Sequence, residues 1–141
     1  MASAYMVGPA TNPIDAIAST SQVSTSTLAV KAPQKKTGDI VKEYFKDNPI
    51  MAKVSWCESR FRQTNKDGSV FRGIVNNDDV GVMQINTHYH LETAKKMGLD
   101  IMTLEGNLAY GKYLYEKEGT DPWISSSACW KQSDQVAYAR K

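Results

Sequence analysis

Pro49-Ile50-Met51-Ala52-Lys53-Val54-Ser55-Trp56-Cys57-Glu58-Ser59-Arg60-Phe61 is followed about two dozen residues later by Gly81-Val82-Met83-Gln84-Ile85-Asn86. These two runs decide how the chain reads. Proline suits the first turn of a helix, and the Asn48-Pro49 step before it punctuates the chain, so a helix is expected from Pro49 to about Phe61. At about 100° per residue, Ile50, Val54, Cys57 and Phe61 fall within a narrow arc, and Glu58 lies at its margin. Its carboxyl is therefore expected to border the apolar interior. The second run opens on a glycine and alternates amide and thioether side chains with aliphatic ones.

Outward from this pair, Ile40, Val41, Tyr44 and Phe45 recur at helical spacing from Thr37, where the folded domain is expected to start. Between Ser69 and Ile85, the apolar residues Val70, Phe71, Ile74, Val75, Val80, Val82 and Ile85 surround the polar turn Asn76-Asn77-Asp78-Asp79, which predicts a small hairpin or strand-like lobe. His88 to Met97 reads as a helix stopped by Gly98, and Thr103 to Glu118 as a longer one stopped by Gly119. A last helical stretch begins near Ile124 and carries Cys129 and Trp130. The fold class expected is α+β, mainly helical, with no internal repeat.

Residues 1–36 are rich in Ser, Thr, Ala and Pro and show no sustained periodicity, so they read as a leader or linker, with residues 37–141 as the domain. Two readings of the leader stand: a tail without a role, or a spacer to an export signal or anchor absent from this chain. The 141 residues suffice for one domain with a true core, and a formal charge of +2 with interspersed Lys, Arg, Asp and Glu lacks the footprint of a nucleic-acid binder. A mild positive bias still favours an anionic polymer such as a bacterial wall. No apolar stretch approaches the roughly 18 residues needed to span a bilayer. Cys57 and Cys129 match no zinc spacing and read either as one disulfide or as two buried thiols. Joined, they close a loop of about 70 residues, for which loop-closure entropy amounts to about 4 kcal/mol.

A carboxyl bordering the interior suits one kind of chemistry. Cleaving a glycoside requires an acid to protonate the leaving oxygen, and at neutral pH a carboxyl does this only if partial burial raises its pKa. The competing reading of Glu58 is an ion-paired helix glutamate, with Arg60 and Arg62 close by in sequence. The company of Trp56, Ser59 and the Gly81–Asn86 run favours the acid.

These residues resemble the soluble-type lytic transglycosylases, relatives of goose-type lysozyme. Glu58-Ser59-Arg60-Phe61 is similar to the family's Glu-Ser motif, and Gly81-Val82-Met83-Gln84-Ile85 to its Gly-Leu-Met-Gln-Ile motif. Asn107-Leu108-Ala109-Tyr110-Gly111-Lys112-Tyr113-Leu114 matches in part its Asn-Leu-x-x-Gly-x-x-Tyr-Leu segment. The resemblance covers roughly residues 40 to 130. It implies a lysozyme-like domain with a groove between a helical body and the β lobe, acting without a cofactor on peptidoglycan glycan strands at the bond between N-acetylmuramic acid and N-acetylglucosamine. Glu58 would act as acid and then as base, activating the sugar's own C6 hydroxyl so that a 1,6-anhydromuramoyl end forms. Such an internal attack proceeds with one carboxyl, where ordinary glycosidases need two. An extracytoplasmic location and a monomeric state go with this reading.

Supporting roles follow from the same resemblance. Met83 and Gln84 are expected to line the groove opposite Glu58, with Gly81 letting backbone approach the substrate. Ser59, Asn107 and Tyr113 are the further candidates for substrate contact; Tyr110 and Tyr115 share the helix of Tyr113. Asp78 or Asp79 is the candidate second carboxylate for a hydrolytic route, against the plainer reading of turn residues bonding their own backbone. The sequence departs from the family in lacking its Ala-Tyr-Asn-Ala-Gly segment: Pro122 to Trp130 holds no tyrosine to orient Glu58. Ser125, Ser127 or Tyr113 is the expected replacement, with Cys129 fastening this segment to the catalytic helix through Cys57. A non-catalytic wall-binding module is the rival from another class. His88, His90 and Glu92 lack further ligands for a metal, and Asn65-Lys66-Asp67-Gly68 lacks the acidic run of a calcium loop, so no metal is expected.

Overall fold

The computed structural model describes residues 33–132, which belong to the second of two units into which the chain divides, Met1–Ala32 and Pro33–Lys141. Apart from residues 33–36, the expected leader lies outside the described residues, as does the chain beyond residue 132. Among the described residues there are five α-helices and a small antiparallel sheet, in the order α1 (Thr37–Tyr44), α2 (Pro49–Ser59), β1 (Asp79–Val80), β2 (Ile85–Asn86), α3 (Thr87–Lys96), α4 (Leu104–Glu118), a 3-10 helix (Asp121–Ser126) and α5 (Ser127–Trp130). The class is thus α+β and mainly helical. Among the described residues no helix is long and apolar enough to cross a membrane.

Local chemistry sets these boundaries. Pro49 opens α2, the Asn86 side chain caps α3 by accepting from the Tyr89 N–H, and Thr103 caps α4 by accepting from the Gly106 N–H. Each such cap stabilises a helix by about 1 kcal/mol. Gly98 and Gly119, with φ of 72° and 63°, stand just past the ends of α3 and α4. The last helical stretch starts earlier than its apolar pattern suggests and splits in two, because Asp121-Pro122 begins a 3-10 turn and Trp123 departs from helical angles.

The sheet is smaller than the apolar pattern implied. β1 and β2 contribute two residues each, paired Asp79 to Asn86 and Val80 to Ile85, with isolated bridges Thr64–Val70 and Arg72–Val80 beside them. Side chains replace a backbone ladder here. The Val82 N–H donates to Gln63 Oε1, and the Val82 carbonyl accepts from the hydroxyls of Ser55 and Ser59. The Met83 N–H donates to Asn107 Oδ1, and its carbonyl accepts from Trp123 Nε1. Every backbone group between β1 and β2 that these residues satisfy is buried, where an unmade hydrogen bond costs about 1–3 kcal/mol. A turn with no regular structure thereby becomes a rigid floor.

On α2, Met51, Ala52, Val54, Ser55 and Ser59 are buried, and Ile50, Cys57 and Phe61 of the expected arc pack half-buried against the same core. The helix ends at Ser59, Arg60 and Phe61 adopt left-handed conformations, and the two serines turn inward to hold Val82. The core behind the floor is built from Val41, Phe45, Val54, Met83, Leu108, Tyr110 and Trp123, with Val41 and Met83 fully enclosed.

Candidate active site

Glu58 occupies the last turn of α2, half-buried, beside an open cleft of about 490 Å³. A narrower cleft of about 120 Å³ shares Glu58, Asp79, Gln84 and Ser125 with it. The carboxyl therefore stands where a wider and a narrower compartment meet. An elongated ligand running through both would pass over it.

The wall that carries Ser125 is tied to α2 covalently. Cys57 and Cys129 form a disulfide with Cα atoms 5.9 Å apart, which settles the two alternatives left open by spacing alone. With the 3-10 helix held beside α2, the Ser126 hydroxyl lies 2.5 Å from Glu58 Oε1 and 3.1 Å from the Trp123 carbonyl oxygen. A hydroxyl has one hydrogen to give. When Glu58 is ionised, Ser126 donates to it, and the Trp123 carbonyl still accepts from Trp130 Nε1. When Glu58 is protonated, its O–H can donate to Ser126 Oγ while the serine hydrogen turns to Trp123. One side chain thus fits both states of the carboxyl.

Burial pushes the Glu58 pKa above its ordinary value; the hydrogen bond from Ser126 pulls it down, and the charge of Asp79 adds to the rise. Asp79 Oδ1 accepts from Asn86 Nδ2 at 2.7 Å, which aims its side chain from β1 across to β2. Of the two candidate second carboxylates, Asp79 lines both clefts, whereas Asp78 is exposed and borders neither. Gln84 also lines both clefts; its φ is 51°, and its Nε2 donates to the Gly81 carbonyl. His90, read in the sequence only against a metal, lines the narrower cleft with Nδ1 3.1 Å from Tyr110 Oη. Burial draws its pKa below the ordinary histidine value, opposed by the charge of Glu118, so the ring is neutral near pH 7. Among the described residues no cluster of three His, Cys, Asp or Glu side chains suits a metal.

Several expected substrate contacts prove architectural. Met83 is fully buried and packs toward Gly111, where an added Cβ would sit 3.0 Å from Met83 Cγ, so the thioether fills the core instead of the groove. Asn107 is fully buried, with Nδ2 donating to the carbonyls of Val80 and Ile101 and Oδ1 accepting from Met83. Ser59 does line the wider cleft, but its hydroxyl is kept on the Val82 carbonyl. Tyr113 borders neither cleft; its hydroxyl accepts from Lys117 Nζ and its ring lies against Tyr110. Gly81 makes its close approach inward: a Cβ there would meet Asn107 Nδ2 at 2.5 Å and Gln63 Oε1 at 2.6 Å, and φ is 71°. Glycine is needed for the floor, not for a sugar.

The residue that sequence reasoning missed is Ser126; Ser125, Ser127 and Tyr113 were expected in its role. The signal lay in spacing, since Ser126 precedes Cys129 by three residues and so shares its side of a helical turn. Glu58 follows Cys57 directly. Once the cysteines pair, the serine faces the acid. Comparisons of this chain with models of protein families, with curated proteins and with solved structures give no match.

Proposed function

We propose that this chain is a lysozyme-like lytic transglycosylase that cuts peptidoglycan glycan strands between N-acetylmuramic acid and N-acetylglucosamine. The observation that carries this reading is the half-buried Glu58 carboxyl at the junction of two clefts, with its pKa raised and Ser126 on Oε1. Glu58 gives its proton to the glycosidic oxygen as the C1–O bond breaks and the bonding pair stays with the departing sugar. The resulting carboxylate then takes the proton of the muramoyl C6 hydroxyl while O6 closes on C1. An anhydro end forms and Glu58 is protonated again. Ser126 follows both steps by exchanging its acceptor. The disulfide and the absence, among the described residues, of a membrane-crossing helix accord with an extracytoplasmic protein.

A second reading has one observation in its favour. Asp79 borders the same clefts and its charge acts on Glu58, so a water held by Asp79 could attack C1 and leave a hydrolytic end. Mass spectrometry of digested peptidoglycan separates the two, because the anhydro product is lighter by one water. Anhydro ends from the wild type and none from Glu58→Gln are expected. Hydrolytic ends that vanish in Asp79→Asn would install the muramidase route instead. Failure of the wild type to clear a wall suspension at all would leave a binding module.

A further inference from the structure

The carbonyl of Trp123 faces two donors at once. Trp130 Nε1 donates to it at 3.0 Å, and the Ser126 hydroxyl lies 3.1 Å from it while reaching Glu58 Oε1 at 2.5 Å. Both indoles are buried, where an indole N–H needs an acceptor. The acceptor that Trp130 uses is an oxygen competing with Glu58 for the serine hydrogen. Trp123 is itself anchored, because its Nε1 donates to the Met83 carbonyl at 2.8 Å and so ties the residue to the floor.

The spacing of these residues delivers them together. Cys129 and Trp130 follow Ser126 by three and four residues, which puts all three on one side of a helical turn, and the disulfide sets that side against α2. The titratable and charged groups facing Glu58 come from elsewhere: Asp79 on β1, His90 on α3, and Arg60 and Arg62 where α2 ends. Among the described residues, no charged side chain of α1, α4, the 3-10 helix or α5 lines either cleft. Trp130 is uncharged and borders neither cleft. Its influence on the acid therefore runs through the carbonyl it shares with Ser126.

A carbonyl oxygen that already accepts one N–H attracts a second donor less strongly, because its lone pairs are shared. With the Trp130 N–H in place, the Trp123 carbonyl is a poor resting place for the serine hydrogen. We infer that Trp130 is a positioning residue for Glu58: its indole N–H occupies the Trp123 carbonyl and so keeps the Ser126 hydroxyl directed at the carboxylate. This rests on the acid–base reading above and supplies what that reading leaves open, the group that returns the serine hydrogen to Glu58 once its proton is given up. Without the indole N–H, the hydrogen stays on Trp123 and the protonated carboxyl is favoured. With it, the ionised form that takes the C6 hydroxyl proton is held ready.

Replacing Trp130 in the full chain by 3-benzothienylalanine, whose sulfur stands in for the N–H in a ring of nearly the same shape, tests this. Glu58 is titrated without substrate by magnetic resonance of its carbon-13-labelled carboxyl, assigned by its loss in Glu58→Gln. The midpoint is expected to rise by about half a pH unit, part of what one neutral hydrogen bond represents. Trp130→Phe should move it the same way, and the falling limb of kcat/KM should follow. In a Ser126→Ala background neither replacement should move the midpoint, because the serine is the link. In the wild type itself, the Trp130 indole N–H resonance should shift with the Glu58 midpoint as the serine hydrogen comes and goes at the shared carbonyl. A still indole resonance, an unmoved or lowered midpoint, or equal shifts with and without Ser126 overturns the inference. Because the titration needs no turnover, a wild type that cleaves nothing would sink the proposed reaction while the hold of Trp130 on Glu58 is still decided.

Discussion

The Ser126 hydroxyl reaches Glu58 Oε1 across 68 residues of chain, and the Cys57–Cys129 disulfide sits one residue from the acid on one side and three from the serine on the other. Ser126 lowers the Glu58 pKa and Asp79 raises it, so removing each has an opposite effect. In the proposed reaction Glu58 must be protonated to act, so the rate should fall as pH climbs through its pKa. Ser126→Ala should move that falling limb to higher pH and also lower kcat by about ten- to a hundredfold, because the carboxyl loses its orientation. Asp79→Asn should move the limb to lower pH. A kcat/KM profile against pH on wall fragments reads both, and shifts in the same direction would refute the assignment.

Stability should carry the same signature. A raised pKa means the folded chain holds the Glu58 proton more tightly than the unfolded chain. The stability this confers is complete below the ordinary value of 4.5 and is lost as pH rises through the folded-state pKa. Glu58→Gln keeps an oxygen for Ser126 and has no proton to lose. Its melting temperature should therefore gain on that of the wild type between about pH 4.5 and neutrality, as thermal scans across that range would reveal.

Asn107→Ala removes the partner of the Met83 N–H and of the Val80 and Ile101 carbonyls in one step. Three buried groups lose their bonds together, and a destabilisation of about 3 kcal/mol or more is expected from urea unfolding. Gly81→Ala should be comparably harmful, since its Cβ has no room beside Asn107 and Gln63. A loss below about 1 kcal/mol in either variant would mean that the floor is not held as described.

Reducing the disulfide opens a loop with a sequence separation of 72 residues, and loop-closure entropy sets the loss at about 4 kcal/mol. That is a large part of the stability of a domain this size. The denaturant midpoint should fall sharply with reductant. Activity should fall before the fold does, because the 3-10 helix that brings Ser126 to Glu58 is released first.

Much of this was legible in the residues, and the parts that were not share a cause. Glycine stops and caps at Gly98, Thr103 and Gly119 act within one turn of chain, so α3 and α4 lie close to where the pattern puts them. The place of Glu58 at the edge of the interior was legible because it falls at the margin of the apolar arc of α2. Asn107 and Ser59 were harder to read: their amide and hydroxyl hold a turn some two dozen residues away, and polar side chains that satisfy buried backbone look in sequence like polar side chains awaiting a ligand, while the Met83 thioether of that turn fills the core. Ile74 and Val75 misled in the opposite sense. Aliphatic composition suggests a strand core, yet both stand in water at the cleft edge.

Because the Gly81–Gln84 turn is bolted from α2, α4 and the 3-10 helix, while Ile74 and Val75 stand exposed at the cleft's edge, the molecule separates a chassis from an interchangeable bumper. Recasting residues 74 and 75 should leave the machinery behind Glu58 undisturbed, whereas Asn76 and Asn77 are bonded to Asp79 and Arg72 and belong to the chassis. Other side chains could then be set on that edge by swapping two residues, with no redesign of the interior.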